Sequence, residues 1–213
     1  MDPAQEHPDN PFGMDTDCRN CSGLCDVRTN VVHGYGDVAA DFMFVGGRPG
    51  PGADRTGVPF TGDEAGRRLQ RILGELGFSH SPPDAAEPEL DGAYLTYLTR
   101  CRHPDRGPTS EEVGTCDPYL TADLRMINPE IIVPIGELAL REVAVEHTTR
   151  DADSLDVETC HATTIRGRGF ELVPMRALDD QTDAQTAAFV EHLAESVLGR
   201  DYRQTKGRSG AHD

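Results

Sequence analysis

Residues 41–78 read DFMFVGGRPGPGADRTGVPFTGDEAGRRLQRILGELGF. The stretch opens on a short apolar run at 42–45, which predicts a β-strand. A long Gly/Pro-rich turn follows and ends at Thr61. Beyond it Leu69, Ile72, Leu73 and Leu76 recur at the spacing that puts side chains on one face of a helix. Thr61 and Glu64 fit a capping box at the start of that helix, and Gly77 fits its end. Strand, glycine-rich loop and helix N-terminus, in that order, make a place where backbone N–H groups hold an anion or an activated water.

The same alternation continues outward. Apolar runs at 93–98, 130–135 and 170–175 predict three more strands. One helix starts at Thr109 or Ser110, with Glu111 and Glu112 in its first turn and an apolar face of Tyr119, Leu120, Leu124, Met126 and Ile127. Another follows Gly136, with Leu138, Leu140 and Val143. A last one covers 183–198, with Phe189, Leu193 and Val197 on one side. Strands alternating with helices predict an α/β fold, a three-layer αβα sandwich around a central, mostly parallel four-stranded sheet. Such sheets bind ligands beyond the carboxyl ends of their strands. The glycine-rich loop, the turn at Cys101, Gly136 and Met175 all fall at such ends. The predicted organisation is a disordered acidic arm at 1–17, one domain at 18–198 and a flexible tail at 199–213.

The chain has 213 residues, enough for one well-packed domain. Asp and Glu total 37 against 20 for Lys and Arg, a formal net charge of -17. Lys206 is the sole lysine. A surface so acidic repels polyanions in ordinary salt but suits a salt-rich, halophilic cytoplasm, where charges are screened over a few ångströms. Residues 1–17 have neither the basic start nor the apolar run of a signal peptide, and no segment is apolar for long enough to cross a bilayer. A cytoplasmic, monomeric protein with no membrane contact is expected.

Six cysteines in that compartment argue for ligation or buried thiols rather than disulfides. Cys18-x2-Cys21 and Cys101-x14-Cys116 form two pairs. Four soft thiolates suit zinc or iron–sulfur equally on spacing alone. Cys25 is either a third member of the amino-terminal group or a packed neighbour, and Cys160 reads as a core thiol. Scattered core cysteines explain Cys18 and Cys21 poorly, because their polar surroundings offer a thiol nothing to pack against.

With these residues in place, the chain resembles the iron–sulfur uracil-DNA glycosylases of thermophilic prokaryotes. The resemblance rests on Cys18-x2-Cys21, on Gly46-Gly47-Arg48-Pro49-Gly50, and on Gly57-Val58-Pro59-Phe60-Thr61-Gly62-Asp63. It extends to Tyr94-Leu95-Thr96 with Cys101-Arg102 and to Ile132-Val133-Pro134-Ile135-Gly136. Thr61-Gly62-Asp63 is similar to the type-B branch. The resemblance implies a [4Fe-4S] cluster on Cys18, Cys21, Cys101 and Cys116. It also implies a base pocket built from Gly46, Gly47, Pro49, Gly50, Phe60, Tyr97 and Arg176, with Phe60 stacking on a flipped base. From the residues alone, Phe60 reads equally as a core aromatic.

The departures bear on activity. The commoner branch has Glu at Gly47, Asn at Tyr97, and a His-Pro where this chain has Ala177-Leu178. Alanine donates no hydrogen bond, and a phenol lacks the donor–acceptor pattern of an amide. Asp63 and Asp54 are the loop carboxylates placed to orient water or stabilise a cationic sugar; helix capping is the plainer role for Asp63, and a solvated turn for Asp54. Arg48, Arg55, Arg100, Arg102 and Arg106 are candidates for phosphate contacts, against ordinary ion pairing with the many carboxylates. The expected function is hydrolysis of the N-glycosidic bond of a deaminated or damaged base in single- or double-stranded DNA. The alternative is a catalytically inactive iron–sulfur DNA binder or a subunit of a repair complex.

Overall fold

The computed structural model describes residues 8–151 and 154–198. Its elements run α1 (Ser22–Cys25), β1 (Tyr35–Gly36), β2 (Phe42–Gly46), α2 (Pro51–Thr56), α3 (Glu64–Glu75), β3 (Ala93–Tyr97) and α4 (Ser110–Ile127). They continue with β4 (Ile131–Ile135), α5 (Glu137–His147), α6 (Val157–Cys160), β5 (Ile165–Arg166), β6 (Glu171–Leu172) and α7 (Asp183–His192), which runs on as a π-helical segment, Leu193–Leu198.

The sheet corrects the four-stranded expectation. It is mixed and six-stranded, in the order β1-β3-β2-β4-β6-β5. β3, β2, β4 and β6 run parallel, and the two-residue edge strands β1 and β5 pair antiparallel to β3 and β6. Neither edge strand has the length or the apolar run that marks a strand in sequence, because an edge ladder needs only backbone partners. Short edges also leave little unpaired backbone for another chain to join.

Alternation along the central strands sorts the core into two layers. Phe42 and Phe44 of β2, Ala93 and Leu95 of β3, and Ile131 and Val133 of β4 face Leu69, Ile72 and Leu73 of α3 and Phe189 beyond them. Met43 and Val45, Tyr94 and Ile132 face Val113, Leu120 and Ile127 of α4 and Ala139, Leu140 and Val143 of α5. Every residue of β2, β3 and β4 is buried. The near-continuous apolar reading of these strands follows from helices covering both faces.

Thr61 does not cap α3. Asp63 does, its carboxylate accepting the Gly66 N–H at 2.8 Å, while the Thr61 hydroxyl bonds Thr56 Oγ1 at 2.7 Å. The glycine-rich turn is not all loop either: six of its residues form α2 behind Pro51, a proline at a first helical position. At α4, Thr109 rather than Ser110 is the capping residue, and it closes a capping box with Glu112. Residues 1–7 and 199–213 lie outside the described residues, and so does much of the expected arm and tail. Of the remaining arm, Asn10 donates its N–H to the Gly34 carbonyl, and Phe12 lies 6.0 Å from Tyr94, centroid to centroid. Among the described residues no helix is long and apolar enough to cross a membrane.

Candidate functional site

A cavity of about 140 Å³ sits where β2, β3 and β4 end. Gly46, Tyr97 and Ile135 close it from the strand tips, and Ala65 and Gly66 from the first turn of α3. Arg48, Asp63, Ala177, Leu178 and Asp179 complete the wall. It adjoins a wider groove lined by Arg48, Pro49, Pro51, Arg102, Glu137 and Asp179. Gly47, Arg48, Gly50, Ile135 and Asp179 belong to both spaces.

Two aromatic rings form the cavity floor. Phe60 and Tyr97 lie 4.6 Å apart between centroids with their planes inclined by 32°. The Phe60 N–H donates to the Tyr97 phenolic oxygen at 2.9 Å. Phe60 holds φ at +54°, a left-handed conformation that side chains adopt rarely and that concentrates at functional turns. Gly46 must be glycine here, since a Cβ would come within 2.8 Å of both rings. Burial pushes the Tyr97 phenol far above its usual range, so it stays neutral.

The two candidate carboxylates part company. Asp63 is half-buried in the cavity wall; one oxygen accepts Gly66 N–H and the other accepts Gly52 N–H, each at 2.8 Å. Asp54 is buried and turned away, accepting the N–H groups of Thr29 at 3.0 Å and Asn30 at 3.5 Å. It ties the chain after α1 to the glycine-rich loop and lines neither space.

The arginines separate as sharply. Arg48 is half-buried and reaches both spaces, anchored by donation to the His103 carbonyl at 2.7 Å. Burial lowers its pKa, with the nearby charges of Arg102 and Arg106 adding to the effect. Arg102 lines the groove. Arg55 is exposed and donates to the Gly62 carbonyl at 2.7 Å. Arg106 makes a two-pronged pair with Glu112, both contacts at 2.7 Å. Arg100 leaves the phosphate-facing set: its side chain is 1% exposed and pairs at 2.6 Å with Asp123, itself buried and bonded by Tyr94 and Thr96. Such pairing offsets much of the cost of taking a guanidinium out of water, although the buried Arg100 Nε has no partner of its own. Arg176 leaves the base pocket for a similar reason. It pairs with Glu158, and its side chain lines neither space.

Cys18 and Cys21 precede α1, Cys101 lies in the loop after β3 and Cys116 in α4, and the charges of these thiols act on one another. Cys18, Cys101 and Cys116 are buried and Cys21 is half-buried. Burial raises the Cys21 thiol's pKa, and the charges of Cys116, Glu112, Cys18 and Cys25 raise it further. Cys101 is pushed up to about 11, chiefly by burial. The Arg28 guanidinium donates to Cys101 Sγ at 3.2 Å and Cys25 Sγ at 3.6 Å. Among the described residues no three His, Cys, Asp or Glu side chains are gathered as a single-ion site. His161 and Cys160, neighbours in sequence, do not form one: the His161 ring bonds the Gln185 carbonyl and accepts the Arg176 N–H.

Asp179 and the first turn of α3 are cavity residues that motif reading passes over. The signal for Asp179 is its place one residue beyond Ala177-Leu178, in the turn that follows the last parallel strand.

Residues 33–193 match the family model described as the uracil DNA glycosylase superfamily. The type-4 uracil-DNA glycosylase of Archaeoglobus fulgidus is 32% identical over 156 residues, 73% of this chain and 68% of that protein. The type-4 uracil-DNA glycosylase of Saccharolobus solfataricus is 37% identical over 121 residues, 56% of this chain and half of that protein's length. The type-5 uracil-DNA glycosylase of Mycobacterium bovis is 30% identical over 189 residues, 84% of this chain and 67% of that protein.

Proposed function

Because the chain belongs to the uracil-DNA glycosylase superfamily, we propose that it hydrolyses the N-glycosidic bond of a deaminated or damaged base in DNA. The observation that carries this reading is the small cavity at the strand ends, floored by Phe60 and opening onto the groove that Arg48 and Arg102 line. A flipped base enters the cavity while the flanking phosphates lie along the arginines.

Hydrolysis builds positive charge on the sugar and negative charge on the departing base. Asp63 faces the cationic sugar, with its position fixed by the Gly52 and Gly66 N–H groups. Arg48 supplies positive charge beside the leaving base, where Ala177 provides no donor. Preorganised donors of this kind are typically worth about 10²–10³ in rate each. Few remain here, so a slow enzyme is expected, acting on a base other than, or in addition to, uracil.

We further propose that Cys18, Cys21, Cys101 and Cys116 hold a [4Fe-4S] cluster. The donor set fits: four soft sulfurs, mostly buried, whose charges oppose one another's ionisation until a cationic centre offsets them. Held by these four cysteines, such a cluster would tie the segment before α1 to the loop carrying Arg102 and to α4. Arg28 then faces the ligand sulfurs as a charge-compensating donor.

A second reading has its own observation. The Tyr97 ring packs at a tilt against Phe60 and narrows the space a base would take, which favours a non-catalytic binder of damaged or single-stranded DNA. Labelled oligonucleotides carrying uracil, hypoxanthine, xanthine or ethenocytosine, incubated in molar salt, separate the two. An abasic product from any one supports the glycosylase. Retained DNA binding with no product from all four supports the binder.

A further inference from the structure

We propose that Asp179 is the carboxylate that activates the attacking water; this rests on the glycosylase reading and names the general base within it. The carboxylates around the site differ in what they already bind. Asp54 is buried under backbone N–H groups of Thr29 and Asn30, outside both spaces. Both oxygens of Asp63 accept backbone N–H groups, which fixes the carboxylate in place and occupies a lone pair on each oxygen. Among the described residues the Asp179 side chain accepts no hydrogen bond and joins no ion pair. It is exposed, and it stands where the cavity meets the groove. Glu137, also in the groove wall, is occupied by Arg141 at 2.6 Å and by the Val157 N–H at 2.9 Å.

The turn that presents Asp179 is firmly held. Met175 bonds Pro134 of β4 and Gly136 just beyond it, Leu178 is buried in the core, and the Asp180 N–H donates to the Ala177 carbonyl at 3.1 Å. The Gln181 amide bonds the Arg176 carbonyl at 2.7 Å. Asp180, also an exposed aspartate, lines neither space. A carboxylate at the mouth of a groove that receives a polyanion works against binding. Its presence there is accounted for if it acts on water at the scissile bond, on the side of the sugar away from the base.

In the step, a water oxygen forms a bond to the sugar C1′ as the C1′–N bond breaks. The bonding pair leaves with the base nitrogen. Asp179 takes one proton from the water and returns it to the departed base or to solvent, so that DNA plus water gives an abasic site plus the free base.

The test uses the full chain in single-turnover reactions on whichever of the four base-bearing oligonucleotides the wild type processes. Asp179→Asn is expected to lower the rate about 10²-fold or more, while DNA affinity stays unchanged or tightens because a negative charge is removed. The acid limb of the pH–rate profile disappears in this variant, Asp179→Glu recovers part of the rate, and Asp180→Asn matches the wild type. A wild type that is active together with an equally active Asp179→Asn overturns the assignment alone, as does a rate loss that follows weakened binding. A wild type silent on all four bases overturns the glycosylase reading and the assignment with it.

Discussion

The backbone N–H of Phe60 points at the phenolic oxygen of Tyr97, 2.9 Å away, so one side chain both holds the loop tip and fills the floor beneath it. Replacing Tyr97 by Asn separates these roles. Loss of the ring is expected to lower stability by roughly 2–4 kcal/mol, as for other large-to-small changes in a core. The vacated space is flanked by Gly46 and Gly50 and gains an amide able to read a base edge. Uracil excision by Tyr97→Asn is expected to exceed that of the wild type, measured by abasic product formed at saturating protein.

The Arg106–Glu112 pair predicts how stability responds to acid. Hydrogen bonding from Arg106 holds the Glu112 carboxyl down at about 2, against an ordinary 4.5. A depressed folded value means the unfolded chain binds the proton first. The pair's contribution is therefore complete above about pH 4.5 and fades as pH falls toward 2. Glu112 also accepts the Thr109 N–H at 2.8 Å, so its protonation loosens the start of α4 as well. Urea midpoints measured from pH 2 to 6 should fall more shallowly with acid in Glu112→Gln than in the wild type.

Gly66 lies against the back of the loop tip. A Cβ there would come within 2.6 Å of the Phe60 carbonyl oxygen and 2.9 Å of the Thr61 nitrogen, both backbone atoms with no freedom to swing aside. Gly66→Ala is expected to lose roughly 1–3 kcal/mol, the usual range for overpacking. It should also displace Phe60 and unseat the Asp63 cap. Thermal melting reads the first effect, and the rate of base excision the second.

Purified without exposure to air, the protein is expected to be brown and to carry about four iron and four sulfide per chain. Cys101→Ser should lower both counts together. Melting of that variant should begin at lower temperature, because α1 and the Arg102 loop lose a shared anchor.

The sequence made the central strands and long helices legible through period-two and period-3.6 patterning, since each buries a face. Tyr35–Gly36 and Ile165–Arg166 were not legible: a two-residue edge strand has no periodicity to read. The sequence offers both Thr61 and Asp63 as caps for α3, since both carry cap-forming oxygens; Asp63 takes the role while the Thr61 hydroxyl bonds Thr56. Among the arginines, composition cannot separate Arg100 from Arg48. The separation comes from Asp123, a residue 23 positions away that turns one of them inward. Gly46, Gly47, Gly50 and Phe60 share one cavity because the strand ends bring the loop over them. Asp179 was hidden because nothing in its own neighbourhood distinguishes it from Asp180; only the path of the turn does.

Asp63 grips Gly52 with one oxygen and Gly66 with the other, so the residues between the two helix starts form a ring buckled at its base. A ring closed in this way moves as one piece. If the cavity takes a flipped base as proposed, its rim is preset beforehand, and selection is expected to work by exclusion at a fixed aperture rather than by a flap folding over its cargo.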